Sequence, residues 1–193
     1  MSNFNATFLS QDELARMPFA ACGNNVLIDT SVRIIGMENL EIGSNVRIDA
    51  GTIIVASGPI VVGSRVHIGA NSYLEGRGGI RIENFANISS YVSVHSVSDD
   101  ASGLSLTNPM TPDRYKTLDI AEVVVRRHAL VFTKSTLLPG TIVGEGAVIG
   151  AHSMAKGEIP AWGIYVGVPA HFVSERKRDL LALEQELLCT EPL

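Results

Sequence analysis

The chain has 193 residues, enough for one domain, and a formal net charge of -5 from 15 Lys+Arg against 20 Asp+Glu. That balance argues against a nucleic-acid-binding surface, which needs a basic face. Two cysteines without C-x-x-C spacing, Cys22 and Cys189, argue against a disulfide scaffold or zinc knuckle.

The start, MSNFNATFLSQDELARM, has no charged segment followed by an apolar core, so no secretory signal is read there. No apolar run is long enough to span a bilayer, and a soluble, cytoplasmic protein without a membrane span is expected. Ser10 and Glu13 form an S-x-x-E capping box. It predicts a short helix over 11–17, followed by Pro18, in a helical N-terminal segment 10–18.

From Ile28 the chain keeps a clock of six. Aliphatic residues stand at Ile28 and Ile34; at Ile42, Ile48 and Ile54; at Val62, Ile68 and Leu74; and at Ile82, Ile88 and Val94. Equivalent positions in successive groups are twenty apart, and the residue four places after each aliphatic one is small or branched. Neither the helical period nor strand alternation gives this. Six residues make a short strand and a turn, and three such units make one triangular coil with an aliphatic residue inward on each side. Coils bury those residues only against the coils above and below. The two extra residues per coil, near 36–40, 57–60 and 77–80, fall at one corner. A sandwich of short strands would not require this clock, so a parallel β-helix over about 22–160 is predicted. With 46% hydrophobic but only 6% aromatic residues, its core is built from Val, Ile, Leu and Ala.

The clock stops after Val94 and resumes at Val125, continuing through Val131, Leu137, Val143 and Ile149. The excursion 95–124 opens with YVSVHSVSDD leading into it and contains Pro109, Pro112, Arg114 and Tyr115. A loop of this length inside a compact fold is functional or disordered, and this one lacks the low complexity of a linker. After the ladder, a C-terminal tail and helix occupy 161–190. Leu180, Leu181, Leu183, Leu187 and Leu188 sit at helical spacing in ERKRDLLALEQELL, after Ser174. The helix is expected to fold back over an open end or a neighbour, with Arg176, Lys177 and Arg178 in a basic first turn.

The [LIV]-G-x-x-[small] unit resembles the hexapeptide-repeat family, whose fold is a left-handed parallel β-helix; the handedness comes from the resemblance. The ending narrows it. Leu138-Pro139-Gly140, Val148-Ile149-Gly150-Ala151, Lys156, Ile159-Pro160 and Gly167-Val168-Pro169-Ala170 are similar to the galactoside and maltose acetyltransferase branch. The resemblance covers roughly 20 to 178. It implies acetyl transfer from acetyl-CoA to a sugar or nucleotide-sugar acceptor, in a homotrimer with active sites between adjacent prisms. It also implies a pantetheine arm beside Thr133 and Ala151, with Lys156, Pro169 and Arg176 as further cofactor contacts. Asn71 falls where the branch has an acceptor-binding asparagine, and Asp100 and Tyr115 are further acceptor candidates on the excursion.

In the family that excursion arches over the acceptor and carries a catalytic histidine, a side chain suited to proton transfer near neutral pH. Here Asp99, in Ser98-Asp99-Asp100, occupies the usual histidine place. Three bases are open: His95, four residues earlier; His128, in a turn of the next coil, expected outward between Arg126 and Arg127; and Asp99 itself, or an acceptor amine that needs little help. An inactive site is the remaining reading. His67, His152 and His171 are read as surface residues. The leading function is O-acetylation of a sugar in surface polysaccharide assembly. An alternative is N-acetylation of a nucleotide-linked amino sugar. A third is a non-catalytic or zinc-binding protein using His67, His95 and His128; its spacing of 28 and 33 residues and the CoA-type ending argue against it, and no metal is expected.

Overall fold

The computed structural model describes residues 7–192; residues 1–6, part of the start read above for a signal, lie outside them. The ladder folds as a parallel β-solenoid whose three faces are sheets, matching a left-handed β-helix. The first face runs from Ala21–Cys22 to Glu158–Ile159, the second from Leu27–Ile28 to Gly163–Val166, and the third from Arg33–Ile35 to Met154–Ala155. Each inward aliphatic residue stacks on its counterparts. Ile48, Ile68, Ile88, Val131 and Ile149 form one fully buried column on the second face. Ile54, Leu74, Val94 and Leu137 form another on the third.

Coil length changes along the prism. Ile42, Val62 and Ile82 pair at 20-residue intervals. After the excursion, Val125 pairs with Val143 across 18 residues, and Val143 with Ile159 across only 16. The third corner therefore loses its extra residues and then tightens at Gly157. The excursion does not disturb register, since Val94 still stacks on Leu137.

Corners demand left-handed backbone, and the residues that adopt it are bulkier than the sequence suggests. Asn45, Arg65, Phe85 and His128 at the first-to-second corner all have φ between 57° and 61°. Cross-coil amide bonds hold them there, as in Arg65 N to Ser44 O (2.9 Å) and Phe85 N to Ser64 O (3.0 Å). Buried corner hydroxyls are satisfied the same way. Thr52, Ser72 and Ser135 donate to the carbonyls of Gly69, Ser89 and Gly150.

Helix α1 (Gln11–Arg16) has both halves of its capping box and buries Leu14. At the other end the chain first adds an antiparallel strand, His171–Glu175, to the second face. Helix α2 (Leu180–Thr190) begins only after it. The basic run is thus outside the helix: Arg178 lies over the Trp162 ring (5.1 Å). Arg176 Nη1 donates to the carbonyls of His128 (2.8 Å) and Gly146 (2.9 Å). Helix α2 runs back along the first-to-second corner, from Trp162 to Arg65, which meets Glu191.

Midway, Glu184 engages Arg127 and sits 2.9 Å from His128 Nε2. His128 is only 8% exposed and stacked on Phe85. Burial, then the charges of Arg127 and Arg176, lower its pKa, so it docks α2 as a neutral ring while Arg127 matches the carboxylate. A depressed histidine contributes stability above the pH at which a free one titrates, about 6.5, and that contribution is lost as pH falls through the lower folded value. Hydrogen exchange, corrected for intrinsic rates, should show α2 losing protection below about pH 6.5 before the solenoid does. Equal behaviour of helix and coils would remove His128 from this role.

Candidate active site

The excursion leaves the third corner as an ordered arm. Ser96, fully buried, anchors its base: its Oγ donates to Glu75 O (2.7 Å) and accepts from Gly78 N (2.9 Å). The returning Ala121 N bonds to Ser96 O (3.1 Å). The first and last residues of the arm form an antiparallel ribbon, Val97–Asp99 with Leu118–Ile120. Asp100 then organises the turn by accepting from Ser102 N, Ser102 Oγ and Ser105 Oγ. These bonds, the Ser102 amide first, lower its pKa.

Between this arm and the third face lies an open cleft of about 750 Å³. The coil wall supplies Ser57, Tyr73, Glu75 and Arg77, and the arm supplies Asp99 and Lys116 among others. Glu75 accepts from Ser57 Oγ (3.0 Å) and Tyr73 OH (3.1 Å). Burial first, then Glu75, raises the Tyr73 pKa, which keeps that hydroxyl a donor. Sequence reasoning missed Tyr73 and Glu75. A signal was there: the outward column Ile35, Val55, Glu75, His95 turns from apolar to ionisable as it reaches the excursion.

The three candidate bases separate. Asp99 is exposed and lines the cleft. His95 is half-buried on the third face, paired in register with Glu75 and tilted against the Tyr73 ring (5.6 Å); it meets the cleft through those two residues and does not line it. Burial lowers its pKa and Glu75 opposes that shift. His128 is a correction: expected outward from its turn, it is buried at another corner beneath α2, because Glu184 and Phe85 sandwich it there. Asn71, exposed with φ 57°, stands at the second-to-third corner and does not line the cleft. Asp100 is spent on its own turn. Tyr115, beneath Arg114 (4.7 Å), lines a second cavity on the arm.

Of the cofactor candidates, Thr133, Ala151 and Pro169 gather at the second-to-third corner of the last coils. His152 N bonds Thr133 O (3.0 Å), and Met154 exchanges bonds with Gly167 and Ala170 on either side of Pro169. Lys156 lies at the third corner instead, donating to Asp119 Oδ2 (2.9 Å) on the returning strand of the arm. Arg176, expected for a phosphate, has its Nη1 tying the tail to the first-to-second corner, away from Thr133, Ala151 and Pro169. No group of three or more potential metal ligands exists among the described residues, and no described helix is long and apolar enough to cross a membrane.

No family model matches the chain. It is 37% identical over 178 residues to the dTDP-4-amino-4,6-dideoxy-D-glucose acyltransferase of Escherichia coli, covering 92% of this chain and 93% of that one. Among solved structures it resembles AntD, an N-acyltransferase of Bacillus cereus, in complex with dTDP and 3-hydroxybutyryl-CoA. That match has 38% identity, a TM-score of 0.92, and covers 96% of this chain and 98% of that one. A serine-to-cysteine variant of AntD, in complex with dTDP-4-amino-4,6-dideoxyglucose and coenzyme A, superposes with a TM-score of 0.93 at 38% identity, covering 97% and 100% of the two chains. A relative this similar along nearly the full length of both chains, on the same solenoid, makes this chain a member of the hexapeptide-repeat acyltransferase family.

Proposed function

We propose that the protein transfers an acyl group from acyl-CoA to the amino group of a dTDP-linked 4-amino-4,6-dideoxy sugar. The observation that carries this is the full-length similarity to an acyltransferase named for that substrate. It favours amine acylation, the alternative reading of the sequence, over O-acetylation. The cleft supports it: Glu75 on the coil wall and Asp99 on the arm are carboxylates suited to hold an amine and take its proton. The amine nitrogen attacks the thioester carbon, the C–N bond forms and the C–S bond breaks. The proton lost from nitrogen passes to Asp99 and from there to the departing sulfur, so coenzyme A leaves as its thiol and Asp99 is again a carboxylate. AntD has been solved with an aspartate and a serine, ten residues apart in its chain, individually replaced. Ser89/Asp99 and Ser90/Asp100 have that separation here, and of the two aspartates Asp99 is the one at the cleft.

Acyl-CoA is the cosubstrate in this reading, its arm running past Thr133, Ala151 and Pro169. Its acyl group is acetyl or a short relative such as the 3-hydroxybutyryl group that AntD binds. The test is thiol release and product mass with dTDP-4-amino-4,6-dideoxyglucose and a series of acyl-CoAs, beside the matching 4-hydroxy nucleotide sugar. Equal acylation of the hydroxy sugar would return the reading to O-transfer. A homotrimer is part of the same proposal, supported by the exposed Tyr91, Phe132 and Val168 at one corner. Light scattering that reads a monomer mass would remove it.

A further inference from the structure

The cleft and the second cavity meet at one side chain. The second cavity, about 440 Å³, lies within the arm and is lined by Gly103 to Leu106 and Arg114 to Thr117. Lys116 is the residue that lines both spaces. Its side chain is only 9% exposed, so the folded arm packs around its stem and fixes where its ammonium stands. A cation fixed between two cavities is placed to meet an anion that spans them. Its carboxylate partner among the described residues is Asp113 Oδ1 at 3.0 Å, whose side chain is 92% exposed. A carboxylate that hydrated is a weak partner, held by an interaction of the kind that contributes little at a surface.

The two spaces differ in chemistry. The cleft side carries Glu75 and Asp99, complementary to an amine. The arm side carries Tyr115 with Arg114 stacked on it at 4.7 Å, an aromatic and cationic platform suited to a base. A nucleotide-linked amino sugar has this order: base and ribose, then two phosphates, then the aminosugar.

We propose that Lys116 is the diphosphate-binding residue of the acceptor site. The nucleoside lies in the arm cavity against Tyr115, and the sugar enters the cleft toward Asp99. Binding exchanges the hydrated Asp113 carboxylate for phosphate oxygens, which accept charge-assisted hydrogen bonds from the ammonium. This rests on the nucleotide-sugar reading and adds to it which residue recognises the diphosphate and in which direction the substrate lies.

Calorimetry with dTDP and with thymidine separates the two claims. The wild-type protein should bind dTDP about 10- to 100-fold more tightly than thymidine, the range of a hydrogen bond to a charged group. Lys116→Met should bring the two ligands to within about threefold of each other, with acyl-CoA affinity unchanged as the check on folding. Lys116→Arg should restore the preference, and Asp113→Asn should keep or strengthen it, since the competing carboxylate is gone. If Lys116→Met keeps the full preference for dTDP, the diphosphate is held elsewhere and this assignment falls while the nucleotide reading stands. If the wild-type protein does not prefer dTDP to thymidine, both fall together.

Discussion

Asp99→Asn is expected to lower kcat for the aminosugar about 10²- to 10⁴-fold, the loss typical of a positioned proton acceptor, with acyl-CoA affinity nearly unchanged. Asparagine keeps the shape of the side chain and its place on the Val97–Asp99 strand, whose pairing with Leu118–Ile120 is through the backbone. Only the capacity to take a proton and match an ammonium is lost. His95→Ala should lower kcat by less than about tenfold, because His95 stands beside Tyr73 and Glu75 and does not itself line the cleft. Single-turnover rates for both variants, with the wild type as reference, decide between them. If His95→Ala is the crippled variant and Asp99→Asn is not, the base stands on the coil and the arm serves only to shape the acceptor pocket.

Leu74→Ala is expected to destabilise the solenoid by about 2–5 kcal/mol. Leu74 is fully buried and stacked between Ile54 and Val94 in the middle of the third-face column. The flanking coils are tied to it by parallel backbone pairing on every face, so they cannot collapse into the space left. The vacancy would also lie directly behind Tyr73 and Glu75, the wall of the cleft. Urea unfolding followed by circular dichroism measures the loss. A change below about 1 kcal/mol would mean that the coils relax more freely than cross-coil pairing suggests.

Much of the fold is legible from local spacing. A coil buries its inward residues only against its two neighbours, so each repeat must carry the whole inward pattern itself. Ile48, Ile68 and Ile88 announce a column without reference to anything distant. The capping box Ser10–Glu13 and the position of the excursion are local in the same sense. Corner conformation was less legible. Arg65, Phe85 and Tyr91 adopt left-handed backbone because bonds from the coil below hold them, a cause twenty residues away.

The site depended on arrangement in space. Three candidate bases lay within 34 residues, yet the prism sends His95 to the third face, Asp99 to the arm and His128 to a different corner. Nothing near His128 in sequence predicts Glu184, which reaches it because α2 doubles back along the prism. The same return spends Arg176 on two backbone carbonyls. Lys116 reads as one more loop lysine until the folded arm buries its stem and sets its ammonium between two cavities. By itself the sequence determined the solenoid, the excursion and the acyltransferase class, because repeat packing and family motifs are properties of neighbouring residues. Only the tertiary structure decided which ionisable groups are free to meet a substrate, because burial and ion pairing join residues from opposite ends of the chain.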